Sequence, residues 1–252
     1  MTDTQTPRAA LITGASRRIG AAIARALARA GYAVVLHAQR SRADAEALAG
    51  EIKAAGGQAA VVLADLVDEE AVRGLVPAAA TFGRLSLLVN NASLFDEDDF
   101  GALDRAAFDR TLAINLTAPV FLAQAFAAQA PAGASIVNIV DQRVLKPTPR
   151  FFSYALSKSA LHGATIMMAQ ALAPAVRVNA VAPGPTLPSP RQSAEQFAAQ
   201  GATMPLGRGP TPEDVAAAVV YLAGADSVTG TVIAVDGGQH IAWRMAGNDM
   251  AE

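Results

Sequence analysis

From end to end the chain alternates between short apolar runs and stretches of helical length. The short runs are Arg8 to Thr13, Tyr32 to His37, Gln58 to Ala64, Leu85 to Asn90, Ser135 to Val140, Val176 to Val181 and Thr231 to Val235. A run that is apolar along its length, rather than at alternate positions, reads as a strand buried on both faces. Between these runs the sequence predicts helices up to about Ala30, over Ser41 to Ala55 and Asp68 to Phe82, from about Asp104 to Ala130, from near Phe151, and over Pro212 to Gly224. Gly31 closes the first of them as a left-handed cap would. Strands joined by helices of ten or more residues imply right-handed crossovers and a parallel sheet. The expected fold class is α/β, a doubly wound parallel sheet with helices on both faces.

No repeat and no linker interrupts this alternation, so residues 1–252 read as one domain. Pro183 to Pro210 departs from it. This Pro- and Gly-rich segment reads as a lid, with a short amphipathic piece at about Ser193 to Gln200. Residues 1–7 read as a frayed end without the apolar core of a secretory signal. A 52% hydrophobic chain with a formal charge of −2 and no long basic run is a poor partner for nucleic acid or an anionic membrane. No apolar run is long enough to span a bilayer. The absence of cysteine excludes a disulfide framework and thiol chemistry and fits a cytoplasmic setting. The three histidines, His37, His162 and His240, lack metal-ligand spacing, so no metal is expected.

The first strand runs into Gly14-Ala15-Ser16-Arg17-Arg18-Ile19-Gly20. A Gly-rich turn between a first strand and a first helix is where a Rossmann-type fold holds a pyrophosphate on backbone N–H groups. The glycine pair alone also describes an ordinary strand–helix turn. Arg18 stands where close backbone approach would favour a third glycine, and reads as a cation beside the phosphates. The second strand ends His37-Ala38-Gln39-Arg40-Ser41, with no acid before Asp44. An NAD-binding fold places an acid there for the ribose hydroxyl. Arg40 and Arg17 instead offer guanidinium groups that suit a 2′-phosphate, and Ser41 adds a hydroxyl donor or a helix cap. The expected cofactor is therefore NADP(H), the alternative being that these are solvated loop charges.

The chemistry centres on Asp141 to Lys158. Tyr154 and Lys158 are four residues apart and share one face if the segment is helical. A neighbouring ammonium lowers a phenol pKa, so Tyr154 is expected to exchange protons nearer neutrality. Pro147 and Pro149 delay the start of that helix. By itself Tyr-x-x-x-Lys also describes a surface phenol beside a solvated lysine.

Taken together, Thr13 to Gly20, Asp65-Leu66, Asn90-Asn91-Ala92-Ser93, Asn115, Tyr154-x-x-x-Lys158, Pro183-Gly184 and Val235-Asp236-Gly237-Gly238 resemble the short-chain dehydrogenases/reductases over nearly the whole chain. Several positions depart from that family's ordinary pattern. Arg18 replaces the middle glycine, Ser93 replaces the glycine after Asn-Asn-Ala, and Asp141 stands where most members place a serine. With Phe95 and the Leu36-His37-x-x-Arg40-Ser41 stretch, this set resembles the pteridine reductase branch.

The resemblance implies catalytic roles for Asp141, Tyr154, Lys158 and Asn115, with Asn115 helping to hold a water relay and Lys158 also binding the nicotinamide ribose. It implies a cofactor site formed by Gly14, Arg17, Arg18, Ile19, Gly20, His37, Arg40, Ser41, Asp65, Leu66, Asn91, Ala92, Ser93, Tyr154, Lys158, Pro183 and Gly184. It implies a substrate site of Arg18, Ser93, Phe95, Asp141 and Tyr154, in which Phe95 stacks on a pterin. A carboxylate at position 141 suits a substrate with N–H groups or a nitrogen to protonate better than a ketone. The alternatives are a carbonyl or 3-oxoacyl reductase, in which Asp141 is incidental, and a non-catalytic NADP(H)-binding module. The resemblance also implies a homotetramer built through the helices at Asp104–Ala130 and Phe151–Ala173, with Trp243 and Arg244 reaching a neighbouring subunit.

Overall fold

The computed structural model describes residues 7–189 and 192–243. Seven strands form one parallel sheet: β1 (Arg8–Ile12), β2 (Ala33–Ala38), β3 (Ala59–Leu63), β4 (Arg84–Asn90), β5 (Ala134–Ile139), β6 (Val176–Pro183) and β7 (Val232–Val235). Their spatial order is β3-β2-β1-β4-β5-β6-β7, so the order reverses between β1 and β4. Doubly wound sheets bind ligands at such a switch point, beyond the carboxyl ends of the strands. All six pairings are parallel, as the unbroken apolar runs require.

The helices are α1 (Arg18–Arg29), α2 (Arg42–Ala54), α3 (Glu69–Ala80), α4 (Arg105–Leu112), α5 (Ala118–Ala127), α6 (Phe152–Leu172), α7 (Ala194–Ala202) and α8 (Pro212–Gly224). They cover both faces of the sheet. Ile23, Leu27, Leu48, Val219 and Leu222 pack on one side with Leu36, Val89 and Val137. Leu75, Val76, Leu122 and Phe126 pack on the other with Leu11, Leu88 and Ile136. Asp68 accepts from Glu70 N and Ala71 N and so caps α3. Gly31 has φ +87°, in keeping with its expected capping role. Among the described residues no helix is long and apolar enough to cross a membrane.

Two expectations change, and a third falls partly outside the described residues. The long helix over Asp104–Ala130 is interrupted by a π-turn at Ala113–Thr117, between α4 and α5. Ser41 occupies the N-cap position of α2, but its side chain makes no capping hydrogen bond. Trp243 is the last residue described, so Arg244 lies outside the described residues.

Candidate active site

Two adjoining cavities open at the carboxyl ends of the strands, of about 430 Å³ and 720 Å³. Arg18, Ile19, Asn91 and Ser93 line both. Every residue assigned from sequence to cofactor, substrate or catalysis lines one or the other, except Asn115, which is fully buried behind them.

The smaller cavity lies against the turn between β1 and α1. Gly14 has φ +62°, and a β-carbon there would stand 2.9 Å from Ala92 Cα. A β-carbon on Gly20 would stand 2.2 Å from Gly14 O, so only glycine lets helix and turn close together. Asn91 locks the turn to β4 by donating to Thr13 O and Gly14 O at 2.9 and 3.0 Å. Thr13 Oγ1 accepts from Asn91 N and Ala92 N. His37 lies buried beneath the turn. Its Nδ1 accepts from Gly14 N at 3.1 Å, and Nε2 faces Ala64 O at 3.1 Å. Burial lowers its pKa, which favours the neutral ring that this pairing needs. His37 therefore acts through the shape of the turn.

No side chain caps α1, and its first turn carries no acid, so its N-terminus faces the cavity as an open anion cradle. Arg40, Ser41, Asp65 and Leu66 line the far wall. Asp65 accepts from Val67 N, a bond that holds its carboxyl below the usual range, and Arg110 and Arg40 act in the same direction. Arg17 does not stand free beside Arg40. It is ion-paired with Asp44 through an exposed contact, and Nε donates to Asp44 Oδ2 at 2.6 Å. Arg18 has φ +52°, a left-handed conformation that costs a non-glycine residue about 1–3 kcal/mol. This directs its guanidinium across the cleft to donate to Leu187 O and Pro188 O in the lid.

The larger cavity holds the proton-transfer groups. β5 delivers Asp141 in an extended conformation, and the following short 3-10 turn is capped when Asp141 Oδ1 accepts from Arg143 N at 2.8 Å. Tyr154, on the first turn of α6, donates its hydroxyl to Asp141 Oδ2 at 2.8 Å. Lys158, one turn later and 2% exposed, donates to Ile139 O at 2.8 Å. Its Nζ stands 5.8 Å from the Tyr154 ring centre.

This geometry corrects the expected effect of Lys158. Burial, and then the charge and hydrogen bonding of Asp141, push the Tyr154 phenol well above its ordinary pKa. Arg143 is the cation that opposes them. Burial brings the Lys158 ammonium from 10.5 to about 8, although Asp141 pulls the other way. Tyr154 is thus held as a protonated acid.

Asn115 sits fully buried in the π-turn behind the cavities. Its side chain accepts from Leu94 N at 2.8 Å and donates to Leu94 O and Ser157 Oγ at 3.0 and 3.1 Å. The π-turn that carries it thus pins the segment leading to Phe95. Phe95 lies 37% exposed in the cavity wall. It stacks on Phe151 at 4.3 Å between centres and meets Tyr154 edge-on at 4.6 Å. Ser93 donates to Leu94 O. Pro183 and Gly184, at the end of β6, form the floor.

Sequence reading missed Arg143 and Phe151. The Arg143 guanidinium stands 5.3, 5.2 and 5.9 Å from the rings of Phe95, Phe151 and Tyr154, and 3.6 Å from Asp141. The only sequence signals were an arginine two residues after Asp141 and a phenylalanine pair at the helix start.

A doubly wound parallel sheet with a Gly-rich turn at its switch point, and a buried tyrosine and lysine beside the same cleft, defines a dinucleotide-dependent oxidoreductase. Comparison with known proteins gives the family. A family model described as "Enoyl-(Acyl carrier protein) reductase" matches residues 14–240. The chain belongs to the short-chain dehydrogenase/reductase family. It is 39% identical over 242 residues to an uncharacterized oxidoreductase of Methylorubrum extorquens, covering 92% of this chain and 97% of that one. It is 34% identical over 284 residues to pteridine reductase 1 of Leishmania tarentolae, covering 94% and 98%. The structure of FolM alternative dihydrofolate reductase 1 from Brucella canis, complexed with NADP, is 50% identical, with a TM-score of 0.92 and 97% of each chain covered.

Proposed function

We propose that the protein is an NADPH-dependent reductase of pterins, taking a dihydropterin to the tetrahydro level. The observation that carries this reading is the 2.8 Å hydrogen bond between Tyr154 and Asp141, made in a cleft walled by Phe95. Similarity to a pteridine reductase and to a dihydrofolate reductase supports it.

The smaller cavity fits NADP(H). The uncapped, acid-free start of α1 suits a pyrophosphate, and Arg40 with Ser41 at the end of β2 suits a 2′-phosphate. When bound, the cofactor supplies a hydride. Reduction of a C=N bond then needs a proton on nitrogen. Tyr154, which burial and Asp141 keep protonated in the resting site, is the donor. Lys158 holds a positive charge beneath the ring below about pH 8 and so compensates the proton's departure. Asp141 accepts N–H groups from the pterin edge, and Phe95 offers a ring edge or face to the pterin plane. The segment after Gly184, drawn over the cleft by Arg18, acts as the lid.

The test is NADPH oxidation with 7,8-dihydropterins, dihydrofolate, quinones and 3-ketoacyl thioesters, run on the unaltered enzyme and on Asp141→Ser. Asp141→Ser is expected to lose most dihydropterin turnover and keep NADPH affinity. Unchanged turnover, or rapid reduction of thioesters with every pterin ignored, would replace this reading with a carbonyl or 3-oxoacyl reductase.

A further inference from the structure

The helix that presents Tyr154 begins without a cap of its own. Phe151, at its N-cap position, has φ 56° and makes no capping hydrogen bond. The first N–H groups of a helix need acceptors, and here they find them outside the helix. Ser153 N donates to both carboxylate oxygens of Asp98, at 3.1 and 3.2 Å, and Ser153 Oγ donates to the same carboxylate. Phe152 N lies 3.4 Å from Asp98 O. Asp98 belongs to the segment that carries Phe95 into the substrate cavity, and it is half-buried where its neighbours Glu97, Asp99 and Phe100 are exposed.

The contacts on either side of Asp98 bring the same two stretches of chain together. Phe95 stacks on Phe151, Arg150 Nη2 donates to Glu97 at 3.2 Å, and Phe100 packs against Phe152 at 5.0 Å between ring centres. Leu94, at the start of this segment, is held by Asn115. The Arg150–Glu97 pair is exposed and contributes little. The Asp98–Ser153 contact is half-buried and charge-assisted, so it is the stronger tie.

We infer that Asp98 is a positioning residue, which caps the helix of Tyr154 from the opposite segment and sets the phenol in register with Phe95. The proton donor and the stacking ring then move as one unit. This rests on the roles given above to Tyr154 and Phe95.

The experiment compares Asp98→Ala, Asp98→Asn and the unaltered enzyme. Displacing a reacting group by about 1 Å costs on the order of 100-fold in rate. Asp98→Ala is expected to lower kcat by roughly 10- to 100-fold with NADPH affinity unchanged. Asp98→Asn keeps an oxygen for Ser153 N and is expected to recover most of that loss. Amide hydrogen exchange gives a substrate-independent arm. In Asp98→Ala, exchange at Ser153 and across residues 94–100 should quicken together, with β4 and α5 unchanged. If kcat is unaltered in Asp98→Ala, or if Ser153 is exposed while residues 94–100 keep their protection, the inference is wrong. If the unaltered enzyme ignores pterins, the pterin reading fails by itself, and the exchange arm still decides the role of Asp98.

Discussion

Replacing Lys158 by methionine should make the protein more stable while removing its activity. The side chain is fully buried, and its ammonium has a pKa of about 8 instead of 10.5. A depressed lysine pKa means that the unfolded chain binds the proton more tightly than the folded one. At pH values below about 8 both states carry the charge, and the folded state bears its full desolvation cost. One pKa unit corresponds to about 1.4 kcal/mol, so this cost is about 3 kcal/mol. Methionine removes it but leaves Ile139 O without the Lys158 donor, which returns about 1 kcal/mol. The net gain at pH 7 is about 2 kcal/mol, or roughly 4–8 °C in Tm for a chain of this size. Between pH 8 and 9.5 the unaltered protein sheds the proton on folding, its stability rises with pH, and the gap to Lys158→Met narrows. Urea unfolding of both proteins at pH 7 and 9.5, at one protein concentration, measures this. A variant less stable than the original at pH 7, or a gap that does not shrink at pH 9.5, would refute the reasoning. The same ammonium should make kcat/KM fall as pH rises through about 8, read from initial rates at low substrate.

Arg40→Asp is expected to raise KM for NADPH at least ten-fold and leave NADH use little changed, because Arg17 is already engaged by Asp44 and cannot take over fully; steady-state kinetics with both cofactors tests it. Arg143→Met should lower turnover and weaken substrate binding, since it removes the guanidinium packed over Phe95, Phe151 and Tyr154 and beside Asp141; a kcat equal to that of the unaltered enzyme would count against the opposition of Arg143 to the raised Tyr154 pKa as a factor in turnover. We also propose a homotetramer. Phe121 on α5 and Met167 on α6 are 55% and 69% exposed, on the two helices expected to form its interface, and light scattering that gives a monomer at micromolar concentration would remove the idea.

The sheet was legible because strands buried on both faces leave unbroken apolar runs, and the helices between them have the length a parallel crossover needs. The Asp141, Tyr154 and Lys158 cluster was legible for a similar reason: a strand end and one helical turn fix where three side chains meet. What escaped the sequence depends on contacts between distant segments. Asn115 looks like an interior residue of one long helix; only the pull of Leu94 and Ser157 shows why the helix opens into a π-turn there. The spacing of Tyr154 and Lys158 gives their proximity. It does not give the direction of Nζ, which bonds Ile139 O, or the hydroxyl's choice of Asp141. The sign of the Tyr154 shift follows from those directions. The same limit applies to Arg17, whose partner Asp44 is 27 residues away.

Asp141 also discriminates between the two reactions open to this site. Reducing a ketone places a growing negative charge on oxygen beside Tyr154. At about 4 Å from a carboxylate, with an effective dielectric near 20, two like charges repel by about 4 kcal/mol. A difference of that size corresponds to roughly 1000-fold in rate. Arg143, 3.6 Å from Asp141, offsets part of it, but that guanidinium lies on the aromatic side of the carboxylate, over Phe95 and Phe151. The nitrogen of a C=N bond is more basic than a ketone oxygen, so it takes the Tyr154 proton before or as hydride arrives and meets the carboxylate as an N–H donor instead of a growing anion. The same oxygen that penalises one transition state therefore favours binding in the other, and only such a difference accelerates a chemical step. Asp141→Ser should thus raise ketone reduction as it lowers dihydropterin reduction. A fall in both would mean that Asp141 serves to hold Tyr154 in place and leaves the choice of substrate to other residues.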